Sequence, residues 1–438
     1  MKRDSWRSKW GFILACIGSA VGMGNIWLFP ARVSAYGGGT FLVPYIIFVI
    51  LIASTGVIGE MAFGRATRSG PAGAFGEATR QRFGTAVPGK VLGLIPVLGS
   101  LALAIGYSVV TGWIFKYLFS SLNGELASMS ELGAFGGMFD RIAVHNPMWQ
   151  VIGMAVTLVI MAFGIAKGIE KANKVMIPLF YALFIGLAVY LLVLGRSGDA
   201  YRYIFRLDPK GLADPMVWVY ALGQAFFSLS IAGNGTLIYG SYLRDEDNVP
   251  HNAGMVALFD SLAAILAALV ILPAMAYSGT ALQSGGPGLM FVHLPNVLRA
   301  IPGGNVLLIV FFLAVLFAAL TSLVNLFEAP TATLQELFRL KRPVAVAIIG
   351  AIGITVGLLI APIVSPWMDV CSIYICPVGA LLAAVCFFWV CRKDFTLEAV
   401  NRSRTKPIGN WFLPLARYGL CGVTVLVLIL GAVNGGIG

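Results

Sequence analysis

Eleven apolar runs set the terms for this chain, near residues 10–35, 40–64, 91–121, 148–166, 175–194, 215–240, 253–281, 304–338, 344–364, 367–391 and 412–434. A helix rises 1.5 Å per residue, so about 20 apolar residues cross the hydrocarbon of a bilayer; each run reaches that length, the fourth only at the short end. No water is available there to satisfy a bare backbone, so each run must be helical. The expectation is an all-α polytopic membrane protein with eleven spans. Charge content agrees, at 11% of residues against about 25% in soluble domains.

The first run breaks its own helix. Between Ser19 and Pro30, Gly22 and Gly24 lie two residues apart with polar Asn25 beside them, and each glycine costs a helix interior about 1 kcal/mol relative to alanine. A broken helix is tolerated in a membrane where it lines an enclosed cavity, its unwound carbonyls facing a cation and the N-terminus of its second half facing an anion. A glycine-kinked packing helix is the plainer alternative. The sixth run is interrupted in the same way, from Ser228 to Gly235. Breaks in the first and sixth spans mark corresponding positions of two five-span halves, 10–194 and 215–391, read as inverted repeats of a single transporter domain, 1–438, with 412–434 as an eleventh span. A binding site is expected between the halves near the membrane midplane.

Lys and Arg fall mainly in the N-terminal segment and the even-numbered connections, which places the N-terminus in the cytoplasm and the C-terminus outside. The net charge of +11 then reflects loops facing anionic lipid, with no need of nucleic acid. Lys2, Arg3, Arg7 and Lys9 run into the first span without a small-residue cleavage site, so that span reads as an uncleaved anchor. The six cysteines lie in or beside apolar runs without metal-ligand spacing and read as small core residues. No nucleophile, base and orienter set suggests an enzyme.

Several pieces taken together carry a resemblance: the stretch from Gly11 to Pro30, Gly37 to Tyr45, Glu60 to Arg65, Gly223 to Ser230, Tyr239 to Tyr242, and Ala319 to Ser322. In order and spacing they resemble the sodium-coupled neurotransmitter and amino-acid symporters, including the bacterial leucine transporter and its eleven-helix relatives. The resemblance implies a broken-helix, inverted-repeat (5+5) transporter of the bacterial inner membrane. Its partners would be an amino acid, sodium ions as co-transported cargo, and lipid.

Hard cations want oxygen ligands, which a membrane interior supplies as carbonyls, hydroxyls and carboxylates. By resemblance, one sodium site uses Ala20, Asn25, Ser228 and Asp260, the last standing where asparagine is commoner; a second uses Gly18, Val21, Ala318, Thr321 and Ser322. Taken alone, Thr321 and Ser322 also suit hydroxyls bonding back to their own helix. The substrate carboxylate is expected against the amides of Gly22, Met23 and Gly24 and the Tyr107 hydroxyl. Its amine would meet the carbonyls of Ala20, Phe227 and Ser230, and its side chain Leu103, Phe227, Gly233, Ser322 and Leu326. Glycine at position 22, where monoamine carriers of the family have aspartate, implies that the substrate brings its own carboxylate. Gly233 stands where the leucine transporter has phenylalanine, which implies a pocket for a bulky apolar or aromatic side chain. Chloride-dependent members carry a serine where this region has Ala263 and Ala264, so Asp260 is expected to supply fixed negative charge and make chloride unnecessary.

The gates depart from the pattern. Leu28 replaces the arginine of the outer gate while its partner persists as Asp369; Arg32, one turn outward on the same face, is the candidate substitute. The inner gate matches at Arg3, Trp6 and Glu336. The function implied is sodium-driven amino-acid import by alternating access; a non-transporting amino-acid sensor of the same fold is the alternative.

Overall fold

Ser8 opens the first helix, α1 (Lys9–Ala20), its hydroxyl accepting from the Gly11 amide. At Val21 the backbone turns extended, and the chain resumes as α2 (Gly24–Ala35) at 55° to α1. There follow α3 (Gly39–Thr67), α4 (Pro71–Phe83), α5 (Val87–Leu122), α6 (Leu132–Val144), α7 (Pro147–Ala162), α8 (Ile165–Val193) and α9 (Gly198–Phe205). The second half comprises α10 (Pro215–Ser228), α11 (Gly235–Gly240), α12 (Val249–Tyr277), α13 (Leu294–Ala300), α14 (Gly304–Phe338), α15 (Arg342–Ile360) and α16 (364–390), with α17 (Lys393–Asn401) and α18 (Phe412–Asn434) after it. This computed structural model describes residues 4–195, 197–231, 233–279 and 285–437, and among them there is no strand.

By length and composition, seven described helical stretches can cross a membrane, and up to nine if each sharply bent pair counts as one span. One of the seven, Arg342–Val390, is two spans. Gly357 packs against Ser108 and Gly106 against Met368. Eleven residues of straight helix would travel about 16 Å, yet the two contacts lie two residues apart on α5. The chain therefore doubles back at the turn Ala361–Ile363. Adding the broken pairs α1/α2 and α10/α11, and α7 as the span of its bent pair, gives helix in each of the eleven apolar runs.

Five connections read as loops from hydropathy contain helices: α4 in the basic stretch 65–90, α6 within 122–146, α9 within 196–214, α13 within 283–304 and α17 within 392–410. The Lys167–Lys171 stretch, also read as a loop, forms the opening turns of α8. Its carboxylate Glu170 is buried because it accepts from the Arg7 amide at 2.7 Å, Ser8 Oγ at 2.9 Å and Lys174 Nζ at 2.6 Å, which ties the entry of α1 to α8.

Small residues let the broken helices approach their neighbours. A Cβ on Gly64 would fall 2.0 Å from the Leu237 carbonyl, and one on Gly240 would fall 2.7 Å from Met61, so α3 and α11 touch backbone to backbone, the usual solution where lipid offers no hydrophobic drive between helices. Glu60 lies on α3 one turn before Gly64. That buried carboxylate accepts from Asn234 Nδ2 at 2.8 Å and from the Thr236 hydroxyl, pinning the start of α11 to α3.

Candidate functional site

The two breaks face each other, and side chains satisfy the backbone groups they release. Asn25 Oδ1 accepts from the Gly22 amide at 3.1 Å, capping α2 from within. The Met23 amide donates to the Tyr107 hydroxyl at 2.7 Å, and Gln224 Nε2 donates to the Gly24 carbonyl at 3.2 Å. The Ser19 carbonyl accepts from Ser230 Oγ at 2.8 Å and Ser322 Oγ at 3.4 Å. Across the gap, Ser230 and Asn234 hold left-handed backbone at φ 56° and 50°, an uncommon conformation for residues other than glycine. Here it ends α10 and starts α11.

Between the breaks lies a cavity of about 340 Å³, within the range of small-molecule sites. Its floor includes Ala20, Gly22, Met23, Gly24 and Ser230. Tyr107 and Leu103 of α5 line one wall, Phe227 and Gly233 another, Ser322 and Leu326 of α14 a third. The structure thus brings together all eleven residues expected around a substrate. It adds Val110, Trp113, Trp27 and Leu28, together with Met368 and Asp369 toward the mouth. Two glycines shape the space differently. A Cβ on Gly22 would lie 2.6 Å from the Tyr107 hydroxyl, so a side chain there would have to displace that hydroxyl; one on Gly233 would meet only Leu326 Cδ2, at 3.5 Å. Asn234 does not fill the opening, because its amide is turned to Glu60 and the Ile231 carbonyl.

Beside this cavity, Asp260 is wholly buried. Its Oδ1 accepts from Asn25 Nδ2 at 2.8 Å and its Oδ2 from Ser228 Oγ at 2.6 Å; Asn25 Nδ2 also lies 3.1 Å from Ser228 Oγ. Three helices, α2, α10 and α12, therefore converge on one carboxylate that no described basic side chain neutralises. A buried carboxylate of this kind suits a cation better than an apolar neighbour.

The other expected cation ligands meet where α1 ends against α14. Thr321 packs on Gly18, and its hydroxyl donates to the Phe317 and Ala318 carbonyls at 2.9 and 3.1 Å, which leaves the oxygen's lone pairs as acceptors. Ser322 reaches the Ser19 carbonyl, and Val21 ends α1 by donating to Ile17 at 2.7 Å. This donor set of carbonyls and hydroxyls, without thiol or imidazole, fits a hard monovalent cation. Among the described residues no cluster of three His, Cys, Asp or Glu could hold a transition metal.

The gate residues are placed unevenly. Arg3 lies outside the described residues. Trp6 is buried, donating to the Tyr239 carbonyl at 3.2 Å, and Glu336 accepts from the Gly70 amide at 2.9 Å and Ser69 Oγ at 3.3 Å. Arg32 and Asp369 are not brought together: the Arg32 guanidinium lies 3.8 Å over the Tyr220 ring, an interaction stabilising by about 0.5–2 kcal/mol, and Asp369 is exposed at the cavity mouth. Sequence reasoning missed the bidentate pair of Glu328 with Arg342 at 2.8 and 2.7 Å, to which the Tyr242 hydroxyl adds a bond of 2.7 Å. A glutamate inside an apolar run was its visible signal.

Residues 3–131 and 140–430 match the sodium:neurotransmitter symporter family. An uncharacterized sodium-dependent transporter of Bacillus subtilis (strain 168) is 34% identical over 76% of this chain and 73% of its own length. Another, from Methanocaldococcus jannaschii, is 30% identical over 99% of this chain and 91% of its own. Among solved structures, MhsT in complex with L-phenylalanine superposes with a TM-score of 0.85 at 32% identity, covering 98% of this chain and all of that one. The chain belongs to the sodium:neurotransmitter symporter family.

Proposed function

We propose that this protein is a sodium-coupled symporter that imports an amino acid with a bulky apolar or aromatic side chain and does not need chloride. The observation carrying the side-chain preference is the space at Gly233, where a Cβ would meet a single atom at van der Waals distance in an otherwise lined cavity. Filling such space with apolar substrate is favourable by about 25 cal/mol per Å² buried. The phenylalanine held by MhsT supports the same class of ligand.

Tyr107 and the amides of Gly22, Met23 and Gly24 receive the substrate carboxylate, and the carbonyls of Ala20, Phe227 and Ser230 its amine. One sodium is held by Ala20, Asn25, Ser228 and Asp260, beside the substrate. A second is held by Gly18, Val21, Ala318, Thr321 and Ser322. The Asp260 carboxylate supplies the negative charge that an anion supplies elsewhere in the family. Sodium and substrate act through their different affinities for outward- and inward-open states. The two halves, 10–194 and 215–391, are the moving inverted repeats, with Arg3, Trp6 and Glu336 at the cytoplasmic gate and Asp369 at the outer one. The protein sits in the bacterial inner membrane, N-terminus in the cytoplasm and C-terminus outside.

Proteoliposomes with an inward sodium gradient test this reading. L-Phenylalanine should accumulate, unlabelled aromatic and large aliphatic amino acids should compete better than glycine or alanine, and replacing chloride with gluconate should change nothing. Sodium-dependent binding without flux would instead mark a sensor. A C-terminal reporter active only in the cytoplasm should stay silent.

A further inference from the structure

Asn173 sits on α8, 1% exposed, directly across from the point where α1 ends. Its amide orientation is fixed, because Nδ2 donates to the Ile169 carbonyl at 2.9 Å, which only the nitrogen can do. The oxygen Oδ1 therefore points the other way, and it has no hydrogen-bond partner. What it faces is Gly18: a Cβ built there would fall 2.2 Å from Asn173 Oδ1 and 2.8 Å from Thr321 Cβ. Asn173 and Thr321 thus press on the same bare face of Gly18 from two helices.

A buried carbonyl oxygen without a donor costs about 1–3 kcal/mol, and a Cα–H contact with the glycine returns less than that. An oxygen with free lone pairs, on a glycine face shared with a threonine whose hydroxyl keeps its own lone pairs as acceptors, is what a dehydrated cation requires. We propose that Asn173 is a further oxygen donor of the second sodium site, presented from α8 opposite the Thr321 hydroxyl. This rests on the sodium-coupled reading above. It adds a third helix to a site otherwise built from α1 and α14. It also links the cation to the opening turn of α8, because the same side chain holds the Ile169 carbonyl at the end of the wide-pitch turn Ile165–Ile169.

The test uses the full-length protein in detergent without substrate, with sodium chloride titrated against choline chloride and thermal unfolding as the readout, so that no transport enters. The parent should be stabilised by sodium. Asn173→Ala should raise the half-saturating sodium concentration at least fivefold, as Thr321→Ala should, while Asn173→Asp, which keeps an oxygen toward Gly18 and loses the bond to Ile169, should return it to the parent value or below. The proposal is overturned if Asn173→Ala leaves half-saturation unchanged while Thr321→Ala shifts it, or if Asp and Ala are equally impaired, which would assign the residue to holding Ile169. If Asn173→Ala fails to fold, Asn173→Ser, too short to reach, takes its place against Asp. Absence of any sodium response in the parent would instead sink the sodium-coupled reading itself.

Discussion

The two ends of the central cavity are built on opposite principles. The Trp6 end is closed: Trp6 stands edge-on to Phe12, Tyr239 and Tyr242, and behind it the Glu328–Arg342 pair is buried, with Tyr242 on the carboxylate and the Met161 carbonyl on the Arg342 Nε at 2.7 Å. At the Asp369 end the cavity reaches its mouth between Leu28, Met368 and Asp369, and no described ion pair crosses it. Opening the first end means separating desolvated, hydrogen-bonded groups. Closing the second requires none to be broken. In the alternating-access reading proposed above, these ends are the two gates: the difference between them would set the direction of the resting bias, and a ligand that fills the cavity would favour closure of the open end.

The largest effect should come from dismantling the closed end. Glu328→Gln leaves the Arg342 guanidinium buried without its counter-charge, and removing one partner of a buried pair costs about 3–5 kcal/mol. Thermal unfolding in detergent should show a drop of several degrees, and the double variant Glu328→Leu with Arg342→Met should recover most of it. If the single variant is as stable as the parent, the contrast between the ends is not energetic.

Asp260→Asn comes next. It keeps the side chain's shape but turns one of the two oxygens that accept from Asn25 and Ser228 into an amide donor and removes the charge, and hydrogen bonds to charged groups stabilise by about 1.5–3 kcal/mol. Uptake in chloride-free buffer should fall on the order of 30-fold at fixed sodium. Undiminished uptake would remove Asp260 from the cation site.

How far these regions were legible in the sequence follows the same divide. Gly22, Gly24 and the Ser228–Gly235 stretch advertise the breaks because glycine and polar residues are costly in an apolar helix, so the cavity could be located from the chain alone. The amphipathic helices α4, α6 and α17 could not, since a hydropathy window averages their two faces into a loop. Arg342 follows Arg339 and Lys341 within four residues and reads with them as a basic loop; only the fold reveals that its side chain turns inward to Glu328. Arg32 shows the converse limit. Helical spacing put it on the right face for Asp369, but the aromatic ring of Tyr220 on α10 competes for it, and a period cannot weigh one partner against another.

A smaller effect tests the cavity wall. Gly233→Phe should lower affinity for tryptophan, tyrosine and phenylalanine about tenfold, which is about 1.4 kcal/mol, and affect alanine or leucine less. Competition against labelled phenylalanine reads this directly. A parent that prefers glycine or alanine to every larger amino acid would overturn the argument from the space at Gly233.

The smallest effect concerns the open end itself. Leu28→Arg restores a cation on α2, at a position lining the same cavity as Asp369. Because Asp369 is exposed, the new pair forms in water and is screened, and such pairs stabilise by about 0.2–1 kcal/mol. The closed form of the mouth should gain by less than about fivefold. Substrate dissociation should slow within that limit, with the effect shrinking as ionic strength rises, since exposed charges are screened within about 8 Å at physiological salt. Adding Asp369→Asn should abolish the gain, while Arg32→Gln, which removes only the contact with Tyr220, should leave it in place. A gain that survives Asp369→Asn would mean that the arginine acts by filling the mouth, and the open end would then be closed by packing, without any need of charge.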